Sequence, residues 1–139
     1  MIEVIEIDSL MWAEKFSADA HKIAFGQLKN PGDERIDFAL LAVRDNTPLG
    51  YVTCRELDAK AVYWQYGGAF PSSEKSVWAF PAYQKLRDWT LDRYDIVGTL
   101  IENTNIPMLK MAQKVGFLIT GIRYFNKAIL LEHTLKKGV

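Results

Sequence analysis

The periodicity of apolar positions changes several times along the chain, and each change marks an element. Met1 to Ile7 is a short β-branched run that predicts a strand, after which Asp8 or Ser9 offers a side-chain oxygen for a helix N-cap. Trp12, Phe16, Ala20 and Ile23 then fall at helical spacing. They predict an amphipathic helix ending near Gly26, or a turn later at Leu28, and closed off by the segment Lys29 to Asp33. Ile36 to Val43 is an apolar run of strand length, and the turn Arg44 to Pro48 leads to a second strand from about Leu49 to Leu57. Asp58-Ala59-Lys60 turns the chain into a third, Ala61 to about Ala69. With connections this short, these strands are expected to be antiparallel neighbours.

Beyond Phe70 the character changes. Pro71 to Ser76 is a polar loop, and about Trp78 to Arg93 reads as a helix in which Tyr83, Leu86 and Trp89 or Thr90 share a face and Pro81 sits in the first turn. Asp95 to Ile101 is an apolar strand, Ile106 to Val115 a helix stopped by Gly116, and Phe117 to Phe125 with Lys127 to Leu135 a closing hairpin through Asn126. The order is β-α-β-β-β-α-β-α-β-β, an α/β chain with one domain over residues 1–139.

Composition narrows the function classes. The 139 residues suit one domain, and 17 Lys+Arg against 17 Asp+Glu leave no net charge. A nucleic-acid partner reached through a broad basic surface is therefore not expected. The longest apolar stretches, such as Phe38 to Val43, fall far short of the ~20 residues of a membrane span, and Met1-Ile2-Glu3 does not begin a leader. A cytoplasmic protein with no membrane contact is expected, in the host cytoplasm if phage-encoded. The lone Cys54 has no partner at metal-ligand spacing, so neither a disulfide nor a metal site is expected. His21 and His133 lie near no serine-turn motif, and no nucleophile triad is read.

The segment Asn105 to Phe117 carries the most information. Read locally, Asn105 is a helix N-cap, Pro107 lies in the first turn, and Met108, Met111 or Ala112 and Val115 pack on the sheet. An Asn after a buried strand, a helix of about three turns and a Gly-Phe stop also resemble the final motif of the GCN5-related N-acetyltransferase (GNAT) superfamily, and the element order agrees with that superfamily over nearly the whole chain. The resemblance implies a mixed, mostly antiparallel sheet flanked by helices. It also implies a V-shaped opening between the strands Ala61–Ala69 and Asp95–Ile101 that takes the pantetheine arm of acetyl-CoA, a cofactor not required for folding.

On that reading Tyr66, Gly67, Gly68 and Ala69 line the arm, with the glycine pair allowing a β-bulge and a close ligand approach; read by themselves, the glycines are a flexible strand end. Ser72, Ser73, Lys75 and Ser76 lead into a helix whose first N–H groups suit a pyrophosphate, and Asn105 completes the set. The sequence departs from the superfamily in two places: the loop Pro71 to Ser76 contains no glycine, and Ala112 stands where many members have a Tyr seven residues after the motif Asn. Glu102 is the candidate base, and Tyr124 or Tyr66 could replace the missing proton donor; each also reads as a solvated or packing residue.

Trp78 before a basic-aromatic helix, followed by the Asp95 strand and the Asn105 helix, is also similar to small acetyltransferase-like assembly proteins of short-tailed bacteriophages. Two functions follow. One is an N-acetyltransferase acting on a small-molecule or protein amine. The other is a weakly active or inactive protein of the same fold that meets a phage structural protein. Seven aromatic residues between Tyr63 and Tyr83 bear on the choice, since alternation sends Tyr63 and Trp64 to opposite faces and Trp64 would make an interface anchor. The C-terminal hairpin edge is a candidate homodimer surface.

Overall fold

The computed structural model describes residues 1–16, 35–70 and 77–138. Its elements are β1 (Ile2–Asp8), α1 (Ser9–Lys15), β2 (Phe38–Arg44), β3 (Thr47–Asp58), β4 (Ala61–Ala69), α2 (Ala79–Leu91), β5 (Ile96–Glu102), α3 (Ile106–Lys114), β6 (Leu118–Phe125) and β7 (Ala128–Lys136). The order expected from the hydrophobic pattern is the observed one, with ends moved by a residue or two except in α1, which ends at Lys15 with Phe16 as its C-cap and not near Gly26. The part of the first helix expected around Ala20, Ile23, Gly26 and Leu28 lies outside the described residues.

The strands form one seven-stranded sheet in the order β1-β2-β3-β4-β5-β7-β6. Every neighbouring pair is antiparallel except β4 and β5, which run parallel because the chain crosses over through α2 between them. Two hairpins turn through two residues at positive φ, Asp45 and Asn46 at 50° and 63° and Asn126 and Lys127 at the same angles. This is the turn whose twist matches that of the flanking strands. Asp8 caps α1, its Oδ1 accepting from the Met11 N–H at 2.8 Å.

Side-chain alternation divides the core between the two sheet faces. On one face Leu40, Val52, Val62, Trp64, Val97, Ile101 and Leu135 pack against Ala82, Tyr83 and Leu86 of α2, Ala112 of α3, and Val115 and Phe117 just beyond it. On the other, Ile7, Ala39, Leu41 and Tyr51 enclose Trp12 of α1, which is fully buried with its ring 5.1 Å from that of Tyr51. The packing residues expected on α3 are the observed ones: Ala112 and Val115 are buried, and Met108 and Met111 partly so. The outer strand β6 is exposed almost throughout, with Ile122 and Tyr124 each 72% accessible.

Trp64 differs from its expected role. It is 5% exposed, packs 5.5 Å from Phe117, and belongs to the core between the sheet and α3, so it is not an interface anchor. Tyr63 does face the other way, stacked beneath the Arg55 guanidinium at 5.4 Å.

Candidate functional site

The site is built where β4 and β5 part. Their pairing runs through Ala61–Ile96, Val62–Val97, Tyr63–Gly98 and Trp64–Thr99 and then stops, although β4 continues to Ala69 and β5 to Glu102. Two features hold the parting at that point. The Thr99 hydroxyl donates to the Trp64 carbonyl at 2.9 Å, fastening the last pair. Immediately beyond it the register between β3 and β4 slips from Cys54–Trp64 to Thr53–Tyr66, which makes Gln65 an inserted residue. Such a bulge bends its strand and raises its twist, and here it turns the end of β4 away from β5. The Thr53 hydroxyl occupies the bulge, accepting from the Tyr66 N–H at 3.1 Å.

The bulge therefore falls at Gln65 and not at the glycine pair. Gly67 and Gly68 pair in register with Val52 and Tyr51, and their role is one of clearance. A Cβ on Gly68 would lie 3.1 Å from the buried Tyr51 ring, and one on Gly67 would lie 3.3 Å from the Tyr51 carbonyl oxygen and 3.5 Å from the Tyr83 hydroxyl. Inserting one residue also reverses the alternation, so Trp64 and Tyr66 face opposite sides; Tyr66 is half-buried beside the α1 core. Ala69 pairs with Gly50 at the strand end.

The other expected site residues are dispersed. Ser72, Ser73, Lys75 and Ser76 lie outside the described residues. Asn105 caps α3 with its side chain, accepting from the Met108 N–H at a long 3.4 Å, and is exposed. Glu102 ends β5 opposite Leu130 and is exposed. Tyr124 lies on β6 opposite Ile129, outside the opening. Among the described residues no group of His, Cys, Asp and Glu is placed to hold a metal ion, and no helix is long and apolar enough to cross a membrane. The Cys54 thiol is buried, and loss of solvent pushes its pKa well above the ordinary value, which leaves it a core side chain.

Several residues at the parting carried no signal in the sequence. On the face away from α2 and α3 a cavity of about 290 Å³ extends from Arg55 and Tyr63 past Gly98 and Thr99 to Arg123 and Glu132. Glu132 is the carboxylate that this cavity contains; it pairs with Leu100 in the sheet and accepts a charge-assisted hydrogen bond from Arg123. On the opposite face the Tyr83 hydroxyl is buried against Gly67 without a hydrogen-bond partner, and desolvation, with a smaller contribution from Tyr51, pushes its pKa far up. Arg44 lies at the sheet end where β4 and β5 part, its guanidinium 4.0 Å over the ring of Trp78, directly before α2.

No family model matches the chain, and no curated protein sequence matches it. Solved structures do. A GNAT-family acetyltransferase from Bacillus cereus ATCC 10987 superposes with a TM-score of 0.73 at 15% identity, covering 99% of this chain and 98% of that one. One from Elizabethkingia anophelis, solved with acetyl-CoA bound, gives 0.72 at 18% identity over 97% of each chain. The ribosomal-protein-S18-alanine N-acetyltransferase of Escherichia coli gives 0.76 at 10% identity, covering 100% of this chain and 96% of that one. The chain has the acyl-CoA N-acyltransferase fold of the GNAT acetyltransferases over its full length.

Proposed function

We propose that this protein is an acetyl-CoA-dependent N-acetyltransferase. The observation that carries the reading is the parting of β4 and β5 after Trp64–Thr99, fixed by a bulge on one strand and a side-chain hydrogen bond on the other, in a fold otherwise assembled from paired strands. Strands that separate in mid-sheet give up backbone pairing, and a ligand held between them supplies a compensating gain. A solved acetyltransferase of this fold with acetyl-CoA bound supports the choice of ligand.

Acetyl-CoA, when bound, supplies an activated acyl group. Tyr66, Gly67, Gly68 and Ala69 would hold its arm along β4. The approach to α2 would receive its pyrophosphate through helix N–H groups and Lys75, and Arg44, which lies over Trp78 and pairs with Asp45, would add positive charge beside it. The amine would enter from the cavity on the face away from α2 and α3, where Glu132 would take its proton; Glu102 is the alternative at the strand end.

Thermal unfolding with and without acetyl-CoA tests this. Cofactor at 100 times its Kd should stabilise the fold by about 2.7 kcal/mol, a rise of several degrees in Tm. Absence of any rise at millimolar acetyl-CoA overturns the proposal. One observation favours an interaction protein on the same scaffold, the apolar outer strand β6 with exposed Ile122, Tyr124 and Phe125, and that result would leave it the better reading.

A further inference from the structure

The cavity on the face away from α2 and α3 has a charge pattern that amine transfer by itself does not require. Arg123 and Glu132 neutralise one another. Arg55 forms no contact-distance ion pair among the described residues; its charge reaches Asp37 only through space, and its guanidinium is held over the Tyr63 ring. A cation–π contact of this kind restrains the guanidinium without using its N–H groups, and a guanidinium meets a carboxylate with two parallel hydrogen bonds. The floor between Arg55 and the strand parting is Gly98, where an added Cβ would meet nothing closer than the His133 carbonyl oxygen at 4.0 Å, so the cavity is continuous there.

We propose that this cavity binds the carboxylate of the acceptor, with Arg55 as its anchor, and that the substrate class is a small amine carrying a carboxylate, an amino acid. The proposal rests on the acetyltransferase reading for its reaction and on the cavity for its specificity. Arg55 is separated from Leu100, at the parting, by two strand spacings of about 4.8 Å and two residues of about 3.3 Å, about 12 Å between Cα positions. The arginine side chain spans about half of that, and the remainder matches the short separation of amine and carboxylate in an amino acid. The competing charge pattern is the cleft of Glu6, Asp8, Asp37 and Glu56, which would attract a polycationic amine. It is centred on Phe38, on the face of the sheet that packs against α2 and opposite the Arg55 cavity, and its Asp37 is already bound to Arg35 and to the Glu56 N–H.

The experiment compares acetyl transfer to glycine, β-alanine and L-glutamate with transfer to glycinamide, β-alaninamide and spermidine, by thiol release. The free acids should react at least tenfold faster by kcat/KM. Arg55→Met, which keeps the apolar stem, should raise KM for the acids at least tenfold and leave KM for the amides and the acetyl-CoA thermal shift unchanged. Gly98→Val, which fills the floor, should reduce kcat/KM with the thermal shift likewise retained. Amides or spermidine reacting as fast as the acids, or an unchanged KM in Arg55→Met, overturns the proposal. If acetyl-CoA produces no shift and no amine reacts, the acetyltransferase reading fails by itself and binding decides the rest. β-Alanine alone should then shift the Gly98 amide resonance of the wild type and not of Arg55→Met, and no shift in either overturns the carboxylate site.

Discussion

Thr99 donates its hydroxyl proton to the carbonyl of Trp64, the residue directly across from it in the last pair joining β4 to β5. The bond uses a side chain to finish a ladder that the backbones then abandon. Replacing Thr99 by valine keeps its shape and leaves the Trp64 carbonyl short of a donor. The expected loss is about 1 kcal/mol, seen as a fall in Tm of roughly 3 °C, with a weaker acetyl-CoA shift because the strands are no longer fastened where they part. An unchanged Tm and an unchanged cofactor shift would show that the bulge alone sets the parting.

Two glycines in neighbouring strands, Gly68 of β4 and Gly98 of β5, should respond in opposite ways. Gly68→Ala drives a methyl to within 3.1 Å of the Tyr51 ring, which is fully buried between Trp12 at 5.1 Å and Phe70 at 5.4 Å and has nowhere to move. The expected cost is about 1–3 kcal/mol. Gly98→Ala meets only ordinary contact at 4.0 Å and removes a glycine from a strand interior, for an expected gain of about 0.5–1 kcal/mol. Urea unfolding of the two variants reads the difference directly.

The element order was readable because each element carries its own signal. β2 is an apolar run, α3 has its Asn105 cap and Gly116 stop at a φ of 110°, and the hairpins have polar turn residues. The site was less readable. A bulge at Gln65 leaves no mark in composition, and the nearby Gly67-Gly68 pair drew the expected bulge to itself. The cavity is assembled from β3, β4, β5, β6 and β7, so Arg55, Glu132 and Arg123 come together only through strand register. Glu102 stands out at a strand end, while Glu132, inside a strand, carries no signal of its own in the sequence.

The pH dependence of stability should show Asp37. Its carboxylate is held below the usual aspartate range, first by the hydrogen bond from Arg35, with the Glu56 N–H and the charges of Arg35 and Arg55 acting in the same direction against desolvation. A folded-state pKa below the unfolded value of about 3.9 contributes stability that is fully present above that value and is lost as pH falls through the folded one. Because the pair is solvent-screened, the contribution is small, about 0.5–1 kcal/mol. Asp37→Asn should therefore lie below wild type in chemical denaturation at pH 6 and approach it as the pH falls below about 4. A gap that persists unchanged at low pH would assign the loss to the neutral hydrogen bonds instead of the charge.

Tyr83 offers the sharpest separation of a structural from a chemical role. Its hydroxyl lies in the core against Gly67, just past the last β4–β5 pair, without a hydrogen-bond partner among the described residues. A buried O–H without a partner is destabilising relative to the same ring without oxygen, so Tyr83→Phe should leave the protein as stable as wild type or more stable by up to about 1 kcal/mol. Burial pushes the phenol pKa far above neutrality, so the group stays protonated across the working range and can only donate. It stands on the side of the opening where Ala112, on the sheet-facing side of α3, provides no donor. If the Tyr83 hydroxyl gives a proton to the departing thiol, Tyr83→Phe should lower kcat by tenfold or more with KM for acetyl-CoA nearly unchanged and Tm equal or higher. A variant with full kcat and raised Tm would make Tyr83 a packing residue, and proton donation would then fall to a group reached from the cavity side.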